Sequence, residues 1–408
     1  MSAGLLAPFT TLKVGGPAAE LVTAGTEAEL LAVAQGLDLD DEWLVLGGGS
    51  NVLISDDGFD GTVIRVATRG IAPVMAQTGV VRLRVQAGEP WDGFVAHCVE
   101  RGFSGIEALS GIPGSVGAAP IQNIGAYGQE VGAAIVSLDF YDVEAGRVRR
   151  MPVEELGLGY RTSVFKQGLR GVVLSVTFEL GDPAGGAPLS APVAYGQLAS
   201  ALGVEVGERM PVQQVRDAVL RLRSSKGMVL DPADPDSYSA GSFFTNPIVS
   251  ERAARALPGE APRWQVEPDA PDAVIPLDAA ALGQQGADAG TGVYDDPSPE
   301  SAPSRTATPA QYHVKLSAAW LIEHAGIRRG FALPGSTAAL SSKHTLAIVN
   351  RAAGAGAAGS AGAGAAGAEA VAGAGRAADV AELARYVQSR VLAEFGVTLH
   401  PEPVYVGF

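Results

Sequence analysis

The chain has 408 residues, 47% of them apolar and 18% charged, with a net charge of −15. This suits two or three domains with real cores and excludes a disordered chain. The acidic balance argues against a nucleic-acid surface, which needs clustered Lys and Arg, but leaves room for a local basic pocket.

Cys98 is the only cysteine, so no intramolecular disulfide can form; this fits a reducing cytosol. Met1–Thr10 lacks a basic start and a long apolar core, so no signal peptide is expected. No apolar run of about 18 residues is free of charge and frequent Gly, so no membrane span is expected.

In chain order, Glu27–Gln35 predicts a helix, and Trp43–Leu46 and Val52–Ile54 predict strands flanking Gly47–Asn51. Thr62–Val66, Val80–Gln86 and Val172–Leu180 are further strands by β-branched content and alternation. Trp91–Arg101 predicts a helix that buries Cys98. The mixed order predicts an α+β fold. Gly181–Ala191 reads as a boundary loop. Val212, Val215, Val219 and Leu222 share one face of a helix over Pro211–Arg223.

Pro258–Pro309 is acidic and rich in Pro, Asp, Ala and Ser, which predicts a surface insertion with limited fixed structure. His313–Ala325 reads as helical. Ala352–Arg376, almost wholly Ala and Gly, reads as a second insertion, a loop. Asp379, with Glu382 three residues on, predicts the start of a helix lined by Val380, Leu383, Ala384, Val387 and Val391 and ended by Gly396. Val404–Phe408 closes the chain as a strand.

Two glycine-rich loops carry the chemistry. Gly47, Gly48, Gly49, Ser50 and Asn51 offer consecutive amides, a hydroxyl and a carboxamide, which suits a diphosphate; a tight turn uses the same residues. Gly111–Gly128 interleaves Gln122, Asn123 and Tyr127 with small residues. That is too polar and too glycine-rich for a core element, and fits backbone wrapped around a large flat ligand. Amides and carboxamides can bond the edge of an isoalloxazine, while Ile112, Ile124 and Tyr127 pack its face. Gly354, Gly356 and Gly359 match a dinucleotide fingerprint, but Gly362, Gly364 and Gly367 match it again; a tract of Ala and Gly makes such matches by chance.

Six motifs in one order, Gly47–Asn51, Gly111–Gly128, Gly159–Lys166, Arg221–Lys226, Ala240–Pro247 and Leu399–Pro403, resemble the UDP-N-acetylenolpyruvoylglucosamine reductases. The resemblance runs from about Thr10 to the C-terminus, interrupted by the two insertions. It implies an FAD-binding region of the vanillyl-alcohol-oxidase (PCMH) type over residues 1–182, in two subdomains of about 1–67 and 68–182. A smaller α+β substrate-binding domain over 183–408 follows, with insertions at about 258–309 and 352–376. It also implies a two-stage reaction in which a hydride passes from NADPH to flavin N5 and then to the enolpyruvyl double bond of a UDP-sugar, giving UDP-N-acetylmuramate for peptidoglycan.

By the same resemblance Arg161 stabilises the enolate, Ser242 donates the proton and Glu402 is the third catalytic group. A fixed guanidinium can grip a carboxylate in two places, a hydroxyl acts as an acid only in a dry, polarised site, and a buried Glu can stay protonated. FAD then contacts Gly47, Gly48, Gly49, Ser50, Asn51, Gly111, Ile112, Pro113, Gly114, Ser115, Gly117, Gln122, Asn123, Ile124, Gly125, Ala126 and Tyr127. Tyr160, Tyr195, Arg223, Lys226 and Asn246 contact the substrate. His97, His313, His324, His344 and His400 show no metal-ligand spacing, so no metal is expected; His344 reads as hydrogen-bonded structure near the site. The alternative is another FAD-linked oxidoreductase of this fold, oxidising an alcohol.

Overall fold

Val80–Gln86 carries apolar residues at alternate positions, and Val81, Leu83 and Val85 are buried. In the computed structural model, which describes residues 2–266, 313–353 and 375–408, this strand lies within a five-stranded antiparallel sheet. The order is Arg147–Pro152, Ile135–Asp142, Gly171–Gly181, Val80–Gln86, Ile71–Gln77. The helix Trp91–Glu100 buries Trp91, Phe94, Val95, Cys98 and Val99. Its Trp91 and Phe94 rings meet Phe178 of the sheet at 6.0 and 4.9 Å between centroids. Burial pushes the Cys98 thiol far above its ordinary range, so it packs as an inert apolar group.

A second sheet has the order Ser2–Leu5, Pro17–Ala24, Phe59–Val66, Trp43–Leu46. Its last three strands are parallel, and the crossover from Pro17–Ala24 is the helix Glu27–Ala34, started by a Thr26–Glu29 capping box. Trp43–Leu46 and Phe59–Val66 thus end side by side, delivering Gly47 and Ala67 to the carboxyl edge of a parallel sheet, where ligands bind in α/β architecture.

The helix Val212–Ser224 buries Val212, Val215 and Val219 as its spacing requires. Its Arg216 grips Asp92 with two bonds of 2.7 and 2.9 Å. The strand Val404–Val406 pairs in parallel with Val52–Ile54, bringing the C-terminal segment beside the first glycine loop.

The described residues fall into two compact units, Met1–Thr245 with Ile322–Phe408, and Asn246–Leu321. In the second unit His313–Leu316 is the central strand of a three-stranded sheet between Ile248–Ser250 and Arg263–Val266. The helical reading of His313–Ala325 therefore holds only for Ala318–His324. His-Val-Lys-Leu alternates, and Val314 and Leu316 are buried. Arg263–Val266, inside the start of the acidic insertion, is an edge strand, so this part of the insertion has fixed structure.

The last helix spans Ala377–Phe395 and is closed by Gly396 at φ +65°. Its cap differs from the expected one. Asp379 lies inside the first turn and accepts bonds from the Thr337 amide and hydroxyl, whereas Asp56 accepts from the Ala377 and Ala378 amides. Residues 267–312 and 354–374, with most of both insertions and both fingerprint matches, lie outside the described residues. Among the described residues no helix is long and apolar enough to cross a membrane.

Candidate active site

The two glycine loops pack backbone against backbone. A Cβ on Gly47 would lie 2.3 Å from Ser115 Oγ, and one on Gly48 would lie 2.6 Å from Gly114 Cα. Gly49 has φ +59°, and a Cβ there would lie 2.0 Å from the Phe9 carbonyl. Beside this seam runs a cleft of about 330 Å³ lined by Gly47, Gly48 and Gly111 through Ser115, with Arg65, Ala67 and Asp92 on its walls. Its volume is within the range of small-ligand sites. Closely packed glycines that bare their amides beside a cation fit the diphosphate of a dinucleotide.

The other predicted cofactor residues divide into two groups. Asn51 Nδ2 donates to Gln122 Oε1 and to the Glu402 carbonyl at 3.2 Å, tying both loops to the C-terminal segment. Ser50 Oγ faces Gly114 across the seam. Gly117 sits against Ala87, where a Cβ would approach to 2.5 Å, so this glycine serves packing. The Asn123 carboxamide is spent inside the protein: Nδ2 donates to Glu130 at 2.9 Å and Gly159 at 3.2 Å, and Oδ1 accepts from Gly132 at 3.1 Å. Ile124 is buried, and Ala126 pairs with Gln129 in a short hairpin.

Arg161 joins the second loop to Glu402. Its Nη1 and Nη2 donate to the carbonyls of Asn123 at 3.2 Å and Gly125 at 2.9 Å, and its Nε lies 3.4 Å from Glu402 Oε1. Two of the five N–H groups are spent on these carbonyls and Nε faces Glu402, which leaves two terminal N–H groups for a ligand. Arg161, Asn123 and Tyr127 all hold φ between +45° and +56°, a conformation that non-glycine residues rarely adopt and that clusters at functional sites.

Glu402 is set by its neighbours in the bridge: its amide donates to the Phe243 carbonyl at 2.9 Å, and Phe244 pairs with Pro401. Ser242, half-buried, is therefore one residue from the backbone that holds Glu402. Burial pushes the Glu402 carboxyl above its ordinary range, opposed by Arg161 and then Lys166. Lys166 belongs to the same motif as Arg161, but its action on Glu402 depends on the fold.

Of the predicted substrate residues, Tyr195 and Lys226 meet at Tyr127. The Tyr127 and Tyr195 rings are 5.9 Å apart, edge to face, and Lys226 Nζ lies 5.8 Å from the Tyr127 centroid while bonding Gln197 at 3.0 Å. Burial lowers the Arg223 guanidinium below its ordinary value. Its Nη2 reaches the Met228 carbonyl at 2.9 Å, while its buried Nε lacks a hydrogen-bond partner. Tyr160, 41% exposed, sits 5.7 Å from the Arg161 guanidinium. Asn246 belongs to the smaller unit, where its Oδ1 accepts from the Ala318 amide at 3.0 Å. His344 lies near the cations Lys226, Arg223 and Arg329 and is held neutral there. Burial, then Lys226 and the neighbouring arginines, push it down to about 4, and its Nδ1 accepts from the Leu346 amide at 3.0 Å.

Residues 18–152 match the profile of an FAD binding domain, and residues 232–361 match that of the UDP-N-acetylenolpyruvoylglucosamine reductase C-terminal domain. The UDP-N-acetylenolpyruvoylglucosamine reductase of Leifsonia xyli subsp. xyli is 55% identical over 407 residues, covering 98% of each chain. That of Salinispora arenicola is 43% identical, covering 98% of this chain and 94% of its own. Among solved structures, the UDP-N-acetylenolpyruvylglucosamine reductase from Thermus caldophilus aligns over 99% of this chain and 98% of its own, with a TM-score of 0.57 and 25% identity. Likeness of this extent, end to end, is more than a shared fold: the chain belongs to the UDP-N-acetylenolpyruvoylglucosamine reductase family.

Proposed function

We propose that the chain reduces the enolpyruvyl group of UDP-N-acetylenolpyruvoylglucosamine to UDP-N-acetylmuramate during peptidoglycan precursor synthesis, in the cytoplasm, with FAD as cofactor and NADPH as reductant. The observation that carries this reading is the position of Arg161. One side chain is bonded to two carbonyls of the second glycine loop and faces the Glu402 carboxyl at 3.4 Å, with two terminal N–H groups to spare. The likeness of the N-terminal part to an FAD binding domain and of residues 232–361 to the reductase C-terminal domain supports a division into 1–182 and 183–408. The net charge of −15 supports a small-molecule partner over nucleic acid.

FAD, when bound, supplies the hydride route from NADPH to the substrate double bond. The protein's work is elsewhere. Adding hydride to an unsaturated acid leaves negative charge on the carbon next to the carboxylate, and that charge spreads onto the carboxylate oxygens. The two unused N–H groups of Arg161 suit those oxygens. Glu402, held towards its neutral form, offers an O–H to the same charge. Ser242 then gives its proton to the carbanion. Tyr160, Tyr195, Arg223, Lys226 and Asn246 are the substrate contacts in this reading, and the burial that makes Arg223 costly as a bare cation favours an anionic partner there.

Anaerobic half-reactions test it. NADPH bleaches the yellow protein and the enolpyruvyl substrate restores the colour. Ser242→Ala keeps the bleaching rate and slows the recovery by about 10²- to 10⁴-fold. Equal slowing of both halves refutes the role of Ser242, and a wild-type protein that takes up no FAD refutes the whole reading.

A further inference from the structure

Arg65 is the penultimate residue of the Phe59–Val66 strand and lines the cleft between the glycine loops. It is paired there in parallel register with Leu46, the residue before Gly47, so it stands at the carboxyl edge of the sheet. Its guanidinium lies over the Phe9 ring at 4.4 Å from the centroid. Stacking uses one planar face and leaves the in-plane N–H fork open.

The other charged side chains on the cleft wall are committed. Asp92 is held by Arg216 and also accepts from the Gly111 amide at 2.6 Å. Arg69 lies 3.5 Å from Glu89 and donates to the Thr68 and Gly88 carbonyls. Among the described residues Arg65 forms no ion pair, and its partner is a neutral ring. The wall beside Gly47 and Gly48 therefore carries one uncompensated cation, on a stem fixed by a strand and an aromatic platform.

We propose that Arg65 is the counter-charge of the FAD diphosphate, held by Phe9 so that its N–H fork meets phosphate oxygens alongside the amides of the first glycine loop. The role rests on FAD occupying this cleft. It makes Arg65 a residue that selects for the diphosphate portion of the cofactor, distinct from the groups that act on the substrate.

The test uses full-length protein stripped of flavin and titrated with FAD by flavin fluorescence, with ADP and adenosine as competitors. Arg65→Met weakens FAD and ADP by about tenfold or more and leaves adenosine within about twofold. It also flattens the salt dependence of FAD affinity, since one phosphate-bound cation is gone. Arg65→Lys, which keeps the charge without the fork, falls between wild type and Arg65→Met and serves if the methionine variant misfolds. FAD affinity within about twofold of wild type in Arg65→Met, or equal loss for ADP and adenosine, overturns the proposal; the second result would place the guanidinium on the adenine. Wild-type protein that binds no FAD overturns both this assignment and the cofactor site beneath it.

Discussion

Arg161 Nε lies 3.4 Å from Glu402 Oε1, yet burial lifts the Glu402 carboxyl above its ordinary range against the pull of that guanidinium and of Lys166. The pair is thus not a committed ion pair, and the carboxyl keeps its proton to higher pH than a solvated Glu. A group whose folded pKa is raised contributes stability that is full below the unfolded value and is lost as pH rises through the folded one. Catalysis that uses the neutral carboxyl declines over the same window. Glu402→Gln, permanently neutral and still a donor, is expected to keep measurable substrate-dependent reoxidation and to lose the alkaline decline. Glu402→Ala loses rate at every pH, by about 10²-fold or more. Rate against pH for the reoxidation half-reaction decides it; an unchanged alkaline decline in Glu402→Gln assigns that decline to another group.

His344 makes the opposite prediction. Burial and the nearby Lys226, Arg223 and Arg329 push its pKa down from 6.5 to about 4, so it is neutral in the folded protein near pH 7. Its Nδ1 accepts from the Leu346 amide, and protonating that nitrogen breaks the bond. The unfolded chain binds this proton first, so stability falls as pH drops from about 6.5 towards about 4. His344→Gln, which can still accept from Leu346 but cannot ionise, should lose less on acidification. The expected difference is on the order of 2 kcal/mol between pH 7 and pH 4.5, read from urea midpoints. Identical acid losses in the two proteins would show that His344 ionises freely.

What the sequence discloses depends on whether a signal is local. The helices at Glu27, Trp91 and Val212 repeat apolar residues every three or four positions, so they are legible. Ile71–Gln77 and Arg147–Pro152 are edge strands with largely exposed side chains, and one contains Pro73; without a buried face they show no alternation to read. Pro17–Ala24 and Ile135–Asp142 are internal to their sheets, yet their patterns are irregular. The glycine loops are legible because their chemistry lies in contiguous residues. Asn123 reads as a ligand contact for the same reason, but only the folded chain shows its carboxamide used up by Glu130, Gly159 and Gly132. Arg65 carries no local mark at all, and although Lys166 ends a motif and His344 is read near the site, their sequence neighbours do not show what they act on. Their significance comes from what the fold brings beside them: a cleft wall, Glu402 and Lys226.

The seam between the glycine loops is a tight backbone-to-backbone approach beside the cofactor cleft, and Gly48 isolates it. A Cβ there would stand 2.6 Å from Gly114 Cα and 2.8 Å from Gly114 C, against backbone that has no side chain to rotate away. The loops must separate, and overpacking of this kind costs about 1–3 kcal/mol. Gly93 is the contrast. It lies exposed within the helix Trp91–Glu100, and a Cβ there would meet Pro90 at 3.7 Å, an ordinary contact. Gly93→Ala is expected to stabilise by about 0.4–1 kcal/mol, because it removes a glycine from the first turn of a helix at a position alanine can adopt. Gly48→Ala should melt several degrees lower and purify with little flavin, whereas Gly93→Ala should melt higher with full flavin. Flavin content per chain and thermal midpoint, measured together, separate a lost cofactor cleft from a generally weakened fold. If Gly48→Ala purified yellow with a wild-type melting curve, the close approach of Gly48 to Gly114 would not be what shapes the cleft, and the reading of the seam as cofactor architecture would fail.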